Sequence, residues 1–526
     1  MIERTLSASG STWAIATPHA LASEAGAVAF ERGGNALDAA LAAAVTLAVA
    51  YPHACGVGGD LFALVQRLDG EMLAVNSSGR SAAAADAALL HAQHPEGVPA
   101  RGPWPITVPG AVAGWGALHR MGAELPWRDA FSQAVGLAFG GVAASRSVAA
   151  TLEDSADELA GDPGLAAIFY PSGLPLPLFA PFHQPALGDT LQAIAERGPD
   201  ALYRGDVGRR YVDGLRAIGS PLTPQDLELH EASVLPPLRG RFRDLHLSVA
   251  PPNSQGYALL QHLAAIERLG FDPDPTGPAA ALHAITAHVV GRDRDRHLAD
   301  PERMTVHPST LLEDGHLAAL CDEIRAGVPG PDAARAGGDT IALVAADAQG
   351  WAVSLIQSLS ESFGAGILEP STGIVAHDRG DCFSTEPGHP NDFAPAVRPA
   401  HTLTPVLIHD DLGLTGVAGT RGGYAQPQIN AHTILRAFEL GATAAEAVAA
   451  PRWLAGGMDP PTATPGIVAE ADVLDDAVAA IAAAGFDIVR VGAHDEDAGH
   501  AHLIRVGPAG FDAGSDPRAD GSALAG

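Results

Sequence analysis

Apolar positions in the first hundred residues follow first a helical period and then a strand period. Residues 18–50 predict two helices separated by Gly33 and Gly34, with Asn35 capping the second helix. The second helix, ALDAALAAAVTLAVAY, is apolar on nearly all sides, which predicts burial between layers. The stretches LFALVQRL and EMLAVNSS then predict a hairpin that turns at Asp69 and Gly70.

Helical patterns dominate from residue 108 to about residue 327, and the pattern changes after a Pro/Gly/Ala-rich stretch at 326–338. That stretch, AGVPGPDAARAGG, has no period and predicts an exposed, mobile loop suited to a chain break. Beyond it the pattern predicts a hairpin of IALVAA and WAVSLIQSL, further short strands, a helix from about 428 to 449, and a frayed tail, DAGSDPRADGSALAG. Helices followed by antiparallel strands, then helices and strands again, indicate a layered α+β fold.

The charge balance and the residue usage narrow the partners and the chemistry. The 526-residue chain carries a formal net charge of −30, so nucleic acid and membrane surfaces are not expected partners. All 31 basic residues are arginine, which excludes Walker-A, Schiff-base and Ser-Lys chemistry. Cys55, Cys321 and Cys382 form no CxxC pair, and the first residues lack a signal-peptide pattern. The sequence therefore predicts a cytoplasmic protein without disulfides.

Twenty-two histidines raise a metal hypothesis that their spacing does not support. His283, His288 and His297 lie in one predicted helix at spacings of 5 and 9 residues, which cannot put all three on one face. We expect surface or capping roles for them, and neither a metal ion nor a cofactor. Cys382 has no nearby histidine to activate it and is interpreted as a small buried residue.

Thr340 begins the apolar run after the 326–338 loop. A threonine hydroxyl needs a base beside it, and a chain break before Thr340 would supply one, because a free α-amine titrates near pH ~7.7–8. The glycine-rich turn VAGTRGGYAQPQ (417–428) could offer backbone N–H groups to an oxyanion. A plain loop-to-strand junction explains the same spacing, so the residues alone leave both interpretations open.

Several ordered motifs resemble those of the γ-glutamyltransferase family. They are GGNALDAALAAAVTLAVAYPHACGVGGDLFALV (33–65), VPGAVAGWGALHRMG (108–122), QPALGDTL (184–191), LHAITAHVVGRDRDRHLADP (282–301), GGDT (337–340), GTRGG and APRW (450–453). The resemblance implies a four-layer αββα sandwich of the N-terminal-nucleophile hydrolase type. It also implies a precursor that cuts itself between Asp339 and Thr340. The large segment would be 1–339 and the small segment 340–526, together forming one intertwined domain.

The resemblance also implies roles by position. Thr340 corresponds to the catalytic nucleophile and Ser358 to a hydroxyl residue that hydrogen-bonds it. Gly422 and Gly423 correspond to the paired glycines of the oxyanion hole. Arg80 corresponds to the arginine that binds the substrate carboxylate, which suits a guanidinium fork. Two chains from one precursor are the implied assembly, with a dimer of these heterodimers left open.

Departures from the family pattern bear on the substrate. Arg379 and Cys382 stand where γ-glutamyl-specific members hold the donor's α-amine, Ser360 replaces an asparagine, and His401-Thr402 replaces a serine pair. An arginine at that place should repel an ammonium group. The RG of this loop, RPxHT and PPNSQG instead resemble a branch that includes oxamate amidohydrolases and glutaryl-type acylases. The acyl groups of those substrates carry a carboxylate and no α-amine.

The sequence therefore predicts hydrolysis of a small anionic amide, either oxamate-like or a dicarboxylic monoamide. The residues expected around its carboxylate are Arg80, Arg379, His401 and Thr402. Transfer or hydrolysis of γ-glutamyl donors such as glutathione is the alternative. A catalytically silent binding protein on the same fold is a further alternative, prompted by Ile341-Ala342 in place of the family's Thr-His after the nucleophile.

Overall fold

A computed structural model describes residues 4–327, 338–384, 386–456 and 465–526. The strands are β1 Ser7–Gly10, β2 Trp13–Thr17, β3 Asp60–Gln66, β4 Met72–Ser77, β5 Val142–Ala143, β6 Pro181–Phe182, β7 Ser233–Leu235, β8 Leu238–Phe242, β9 Leu245–Val249, β10 Asp339–Asp347, β11 Ala352–Ser360, β12 Leu368–Glu369, β13 Ile374–Val375, β14 Val406–Asp410, β15 Gly413–Thr420, β16 Trp453–Ala455, β17 Gly466–Glu470, β18 Asp487–Val491, β19 Ala501–Gly507, β20 Gly510–Ser515 and β21 Ser522–Ala525.

The α-helices are α1 Ala20–Glu31, α2 Ala36–Ala50, α3 Ala87–Gln93, α4 Ala111–Arg120, α5 Ser132–Gly140, α6 Arg146–Asp154, α7 Ala156–Leu159, α8 Pro163–Phe169, α9 Pro185–Arg197, α10 Asp200–Tyr203, α11 Asp206–Ala217, α12 Pro224–Glu228, α13 Gly256–Leu269, α14 Ala280–His297, α15 Asp314–Ala326, α16 Gln426–Ile434, α17 Ala444–Ala449 and α18 Asp475–Ala483. Short 3-10 turns at Arg379–Cys382 and Gly423–Ala425 belong to the site described below.

Two seven-stranded antiparallel sheets stack on each other and are covered by helices on their outer faces. The first sheet has the order β21-β2-β10-β11-β3-β4-β7 and carries α1, α2 and α4. The second has the order β1-β20-β19-β15-β14-β9-β8 and carries α13, α16 and α17. A separate apolar cluster lies between the sheets, where β10 and β11 face β15 and β19. The predicted layered α+β architecture of the N-terminal-nucleophile type is confirmed.

Helix α2 is buried along its whole length, as its apolar sequence predicts. All fifteen of its residues are buried, and it packs on β10 and β11. Asn35 caps it through a capping box with Asp38, whose carboxylate also accepts the backbone N–H of Leu125 at 2.9 Å. The helix therefore fixes the outer face of the two strands that carry the predicted nucleophile.

Both predicted hairpins are present. Strands β3 and β4 pair around a turn at Asp69 and Gly70, and β10 and β11 pair around 348–351. In β10 and β11 every residue is buried, because α2 covers one face and the second sheet the other. Such two-sided burial requires the continuous apolar run that the sequence shows.

Two predicted elements are wrong. The tail predicted to fray instead forms β20 and β21, and β21 pairs with β2 in the first sheet. The single helix predicted from about 428 to 449 is divided into α16, a π-helical turn at Leu435–Glu439, and α17 after Gly441. Gly441 has φ of 75°, a left-handed conformation that ends a helix.

Other expectations meet the structure only in part. Most of the predicted 326–338 loop lies outside the described residues. His283 and His288 are buried at 0% and 3% exposure, so the surface role expected for them is wrong. Across the described ranges no three histidine, cysteine or carboxylate side chains are arranged to hold a metal ion. Within the same ranges, no helix combines the length and apolarity needed to cross a membrane.

Candidate active site

Thr340, the predicted nucleophile, is the second residue of β10 and is only 1% exposed. Its strand pairs with β11 so that Thr340 lies opposite Ser358, while Asp339 lies opposite Ser360. The register shifts between these two pairs, which leaves an extra residue on β11 and marks a β-bulge. The bulge kinks the ladder at the Asp339–Thr340 bond, the predicted cleavage site.

The Ser358 hydroxyl is the hydrogen-bonding centre of the site. Thr340 donates to Ser358 Oγ at 3.0 Å, and the backbone N–H of Ser360 donates to the same oxygen at 2.9 Å. Ser358 Oγ in turn donates to the carbonyl oxygen of Asp339 at 2.8 Å. A single hydroxyl therefore contacts both the predicted nucleophile and the carbonyl group of the bond expected to break.

Arg379 supplies a cation directly behind Ser358. Its Nη2 donates to Ser358 Oγ at 3.0 Å and its Nη1 to Thr402 Oγ1 at 3.2 Å. The side chain is 2% exposed, Nε has no hydrogen-bond partner, and within the described ranges the guanidinium forms no ion pair with a carboxylate. Burial lowers the pKa of Arg379, but the fields of Cys382, Asp381 and Asp60 outweigh that effect and raise it above its usual value.

Asp60 and His401 form a buried pair beneath this cation. His401 Nε2 lies 3.1 Å from Asp60 Oδ2, and Nδ1 accepts the backbone N–H of Leu403, so Nε2 is the nitrogen that donates. Burial raises the pKa of Asp60 to about 7. Burial lowers the pKa of His401 well below its usual value, and Arg379 lowers it further. A neutral imidazole here holds Asp60 and fixes the chain that leads into Thr402.

The Gly422–Gly423 turn lies against the predicted cleavage site. A Cβ added to Gly338 would be 3.4 Å from Gly423 Cα, which shows how closely the two segments approach. Gly422 and Gly423 have φ of 140° and 52°, conformations that glycine adopts without strain. No acceptor for either backbone N–H is found among the described residues. Two such amide donors next to the predicted cleavage site are the elements of an oxyanion hole.

Gln255, from the PPNSQG motif, supports this turn from behind. Its side-chain amide donates to the carbonyl oxygen of Gly423 at 3.0 Å and to that of Thr402 at 2.7 Å. Its own oxygen accepts from Arg294 at 3.0 Å, and Arg294 also donates to the carbonyl oxygen of Tyr424. The motif alone assigns Gln255 no role, because its contacts with Thr402 and Gly423 join residues more than 140 positions apart.

Arg80 does not contact this cluster. Its guanidinium pairs with Asp300 at 2.9 Å and with Glu302 at 3.2 Å, and it donates to the carbonyl oxygen of Ala396. The side chain is 32% exposed, in contrast to that of Arg379. The structure therefore brings most of the predicted site residues together and leaves Arg80 outside their contacts. Those joined through hydrogen bonds or close packing are Thr340, Ser358, Arg379, His401, Thr402, Gly422 and Gly423.

Comparisons with known proteins identify the family of the chain. A family model described as Gamma-glutamyltranspeptidase matches residues 22–526. An oxamate amidohydrolase proenzyme of Klebsiella pneumoniae is 33% identical over 96% of this chain and 97% of its own. A glutathione hydrolase-like YwrD proenzyme of Bacillus subtilis is 33% identical over 98% of each chain. The solved structure of a cephalosporin acylase from Bacillus halodurans has a TM-score of 0.92 at 28% identity, over 100% of this chain and 98% of that one. The chain therefore belongs to the gamma-glutamyltranspeptidase family and is an enzyme of the N-terminal-nucleophile hydrolase type.

Proposed function

We propose that this enzyme is a self-processing amidohydrolase that cleaves a small amide with a carboxylate in its acyl group. One observation carries the proposal: the guanidinium of Arg379 is buried one hydroxyl group away from Thr340, and no described carboxylate forms an ion pair with it. Burying an unpaired charge costs several kcal/mol, about 3–5 when the partner of a buried pair is removed. A site that keeps such a cation beside the nucleophile is suited to an anionic substrate.

The first reaction is cleavage of the chain itself. The Oγ of Thr340 attacks the carbonyl carbon of Asp339, the C–N bond breaks, and the hydroxyl proton passes to the departing nitrogen. Water then hydrolyses the resulting ester, which leaves a carboxylate on Asp339 and returns a proton to Thr340 Oγ. The hydrogen bond from Ser358 to the Asp339 oxygen supports this step, because it stabilises the charge that develops on that oxygen.

The second reaction uses the amine that cleavage frees. The α-amine of Thr340 takes the proton from its own hydroxyl, which then attacks the amide carbon of the substrate. The N–H groups of Gly422 and Gly423 are free to bind the resulting oxyanion. The amine returns its proton to the leaving nitrogen, and water releases the acyl group from Thr340.

A short acyl group suits the position of Arg379. Only Ser358 separates the guanidinium from Thr340, so a carboxylate bound there would lie close to the carbonyl under attack. Thr402 and its neighbour His401 would complete the binding site. The oxamate amidohydrolase proenzyme among the relatives is named for an amide of this kind, in which carboxylate and amide share one bond.

Arg80 remains a second candidate for the same carboxylate. Its guanidinium already forms ion pairs with Asp300 and Glu302, so a substrate carboxylate would have to compete with both of them. Among the described residues Arg379 forms no direct ion pair with a carboxylate, although Asp381 and Asp60 are near enough to raise its pKa. We therefore propose Arg379 as the first candidate for binding the substrate carboxylate and Arg80 as the second. The sequence interpretation had the opposite order.

A panel of amides tests the proposal. Purified, cleaved enzyme is assayed with oxamate, with succinic and glutaric monoamides, and with γ-glutamyl-p-nitroanilide. Acetamide and butyramide serve as matched amides without the carboxylate. We expect kcat/KM to be highest for the carboxylate-bearing amides and at least tenfold lower for the neutral ones, as expected for losing one charged hydrogen bond worth about 1.5–3 kcal/mol. Preferred turnover of γ-glutamyl-p-nitroanilide contradicts the proposal.

A γ-glutamyl donor is the second candidate, and one acidic cluster favours it. Glu361, Asp378 and Asp381 lie next to Ser360 in the same site. The pKa of Glu361 is raised to about 7, chiefly by burial and then by Asp381 and Asp339. An ammonium group would relieve this mutual repulsion. The same panel separates the candidates, because only the γ-glutamyl compound carries an α-amine.

A further inference from the structure

The side chain of Asp339 is held as firmly as its carbonyl group. Its carboxylate is 2% exposed and contacts Arg421 Nη2 at 2.7 Å, as an ion pair that is not aligned as a hydrogen bond. Its other oxygen accepts a hydrogen bond from Ser362 Oγ. The carbonyl oxygen of the same residue accepts from Ser358. The residue before the cleaved bond is therefore restrained on both sides.

Arg421 joins this restraint to the glycine turn. It directly precedes Gly422, its backbone N–H donates to the carbonyl oxygen of His500 at 2.8 Å, and its side chain is 15% exposed. Its second carboxylate is Glu496, at 3.4 Å. Burial lowers the pKa of Arg421, but Asp339 and then Glu496 outweigh that effect and raise it. The guanidinium is thus a permanent cation between the scissile residue and a fixed acidic neighbour.

We propose that the Asp339–Arg421 ion pair is a processing latch, which positions the scissile carbonyl for attack and is dispensable once the chain is cut. The inference rests on the proposed self-cleavage. Attack by Thr340 on its own preceding carbonyl requires one orientation of the Asp339–Thr340 peptide, and the hydrogen bond from Ser358 restrains that peptide only at the carbonyl oxygen. The latch fixes that orientation by holding the side chain of Asp339 against the segment that carries Gly422 and Gly423.

The same geometry explains why turnover should not need the latch. After cleavage Asp339 is the end of the large segment and no longer shares a bond with Thr340. Arg421 keeps Glu496, and the glycine turn keeps Gln255 and the packing of Gly422 against Ile429. Asp339 is thus a positioning residue for one reaction only.

The experiment measures two rates on each variant. Newly made uncut protein is followed by intact mass to give the cleavage rate, and kcat on the preferred amide is then divided by the cleaved fraction. Asp339→Asn keeps the shape and removes the charge, and Asp339→Glu restores the charge on a longer arm. Glu496→Gln is the matched control, because it removes the other carboxylate of Arg421 and leaves the scissile residue intact.

We expect Asp339→Asn to slow cleavage at least about tenfold, since misplacing a reacting group by about 1 Å can cost ~100-fold. Asp339→Glu should recover part of the rate, Glu496→Gln should lose less than Asp339→Asn, and kcat per cleaved molecule should stay within about twofold throughout. Wild-type cleavage by Asp339→Asn overturns the latch. The proposal is also overturned if Glu496→Gln slows cleavage as much as Asp339→Asn, or if Asp339→Glu recovers none of the cleavage rate. A fall in kcat per cleaved molecule that parallels the fall in cleavage rate overturns it too. If the wild type itself stays uncut, the proposed function fails and the latch fails with it.

Discussion

Two regions of this enzyme bury arginine side chains, and they differ in the groups that contact the guanidinium. In the first region, next to the ends of β17 and β20, Arg518 pairs with Glu470 and with Asp516 at 3.0 Å. Arg452 pairs with Asp516 at 3.1 Å. All four side chains are at most 1% exposed, and charge is matched by charge. In the active site, Arg379 is equally buried but donates only to hydroxyl and thiol groups among the described residues.

The difference separates a structural charge from a functional one. Burial raises the pKa of Asp516, but Arg518 and Arg452 outweigh it and hold the pKa below its ordinary value, so the charges of that cluster balance one another. The guanidinium of Arg379 lacks such pairing: among the described residues its Nη atoms donate to two hydroxyl groups and a thiol. Asp381 and Asp60 act on Arg379 through their fields and not through direct ion pairs, so the guanidinium can still take a carboxylate in direct contact, as the proposed function requires.

Replacing each arginine with methionine gives the largest expected contrast. Arg518→Met leaves Glu470 and Asp516 with fewer charged partners in the interior and should lower the free energy of unfolding by about 3–5 kcal/mol. Arg379→Met removes a charge that forms no carboxylate ion pair among the described residues, so it should lower the free energy of unfolding by less than Arg518→Met does. Urea unfolding measures both, in an uncut Thr340→Ala background that keeps one chain. Equal losses of unfolding free energy in the two variants would contradict the difference between the two regions.

Arg379→Gln sharpens the comparison in the catalytic direction. Loss of a hydrogen-bonded charge to the substrate should lower kcat/KM for the carboxylate-bearing amide by about 1.5–3 kcal/mol, or roughly 10–150-fold, mainly through KM. The neutral amide of equal length should be affected much less. Rates are divided by the cleaved fraction, because Arg379 also contacts Ser358.

Arg80→Ala is the matched control for that variant. Because Arg80 is paired with Asp300 and Glu302, we expect a smaller rise in KM than for Arg379→Gln. A larger rise in KM for Arg80→Ala than for Arg379→Gln would show that Arg80, and not Arg379, binds the substrate carboxylate.

A smaller effect concerns the acidic side of the site. The pKa of Glu361 is raised in the folded state to about 7, chiefly by burial, so this group favours folding most when protonated. Its contribution is therefore complete at acidic pH, below the pKa of an unfolded glutamate near ~4.3, and is lost as the pH rises through about 7. Glu361→Gln should flatten that decline in unfolding free energy. An unchanged slope would show that Glu361 ionises normally.

Local patterns in the sequence account for much of the fold. The wholly apolar α2, its Asn35 cap and the β10–β11 hairpin each follow from neighbouring residues, and the hairpin alone brings Thr340 opposite Ser358. The tail was misjudged because β21 is stabilised by β2, about 500 positions away. No local pattern in a short polar-rich segment reveals such a partner.

The sequence predicts which residues stand at the centre of the candidate site, but not the ion pairs around it. Thr340, Ser358 and the paired glycines stand in motifs, and the structure brings them together. The ion pairs of Arg80 with Asp300 and of Arg421 with Asp339 join residues far apart in sequence. The sequence alone therefore could not show which of the two candidate arginines already forms ion pairs with carboxylates.

Self-cleavage before Thr340 is the central claim, and intact mass tests it most directly. Wild-type protein and Thr340→Ala are expressed, purified and measured side by side. The account predicts two wild-type fragments, 1–339 and 340–526, the smaller beginning at Thr340, and a single uncut Thr340→Ala chain close to the 53.6 kDa of the full sequence. A single uncut wild-type chain, or a cut that persists in Thr340→Ala, would contradict it.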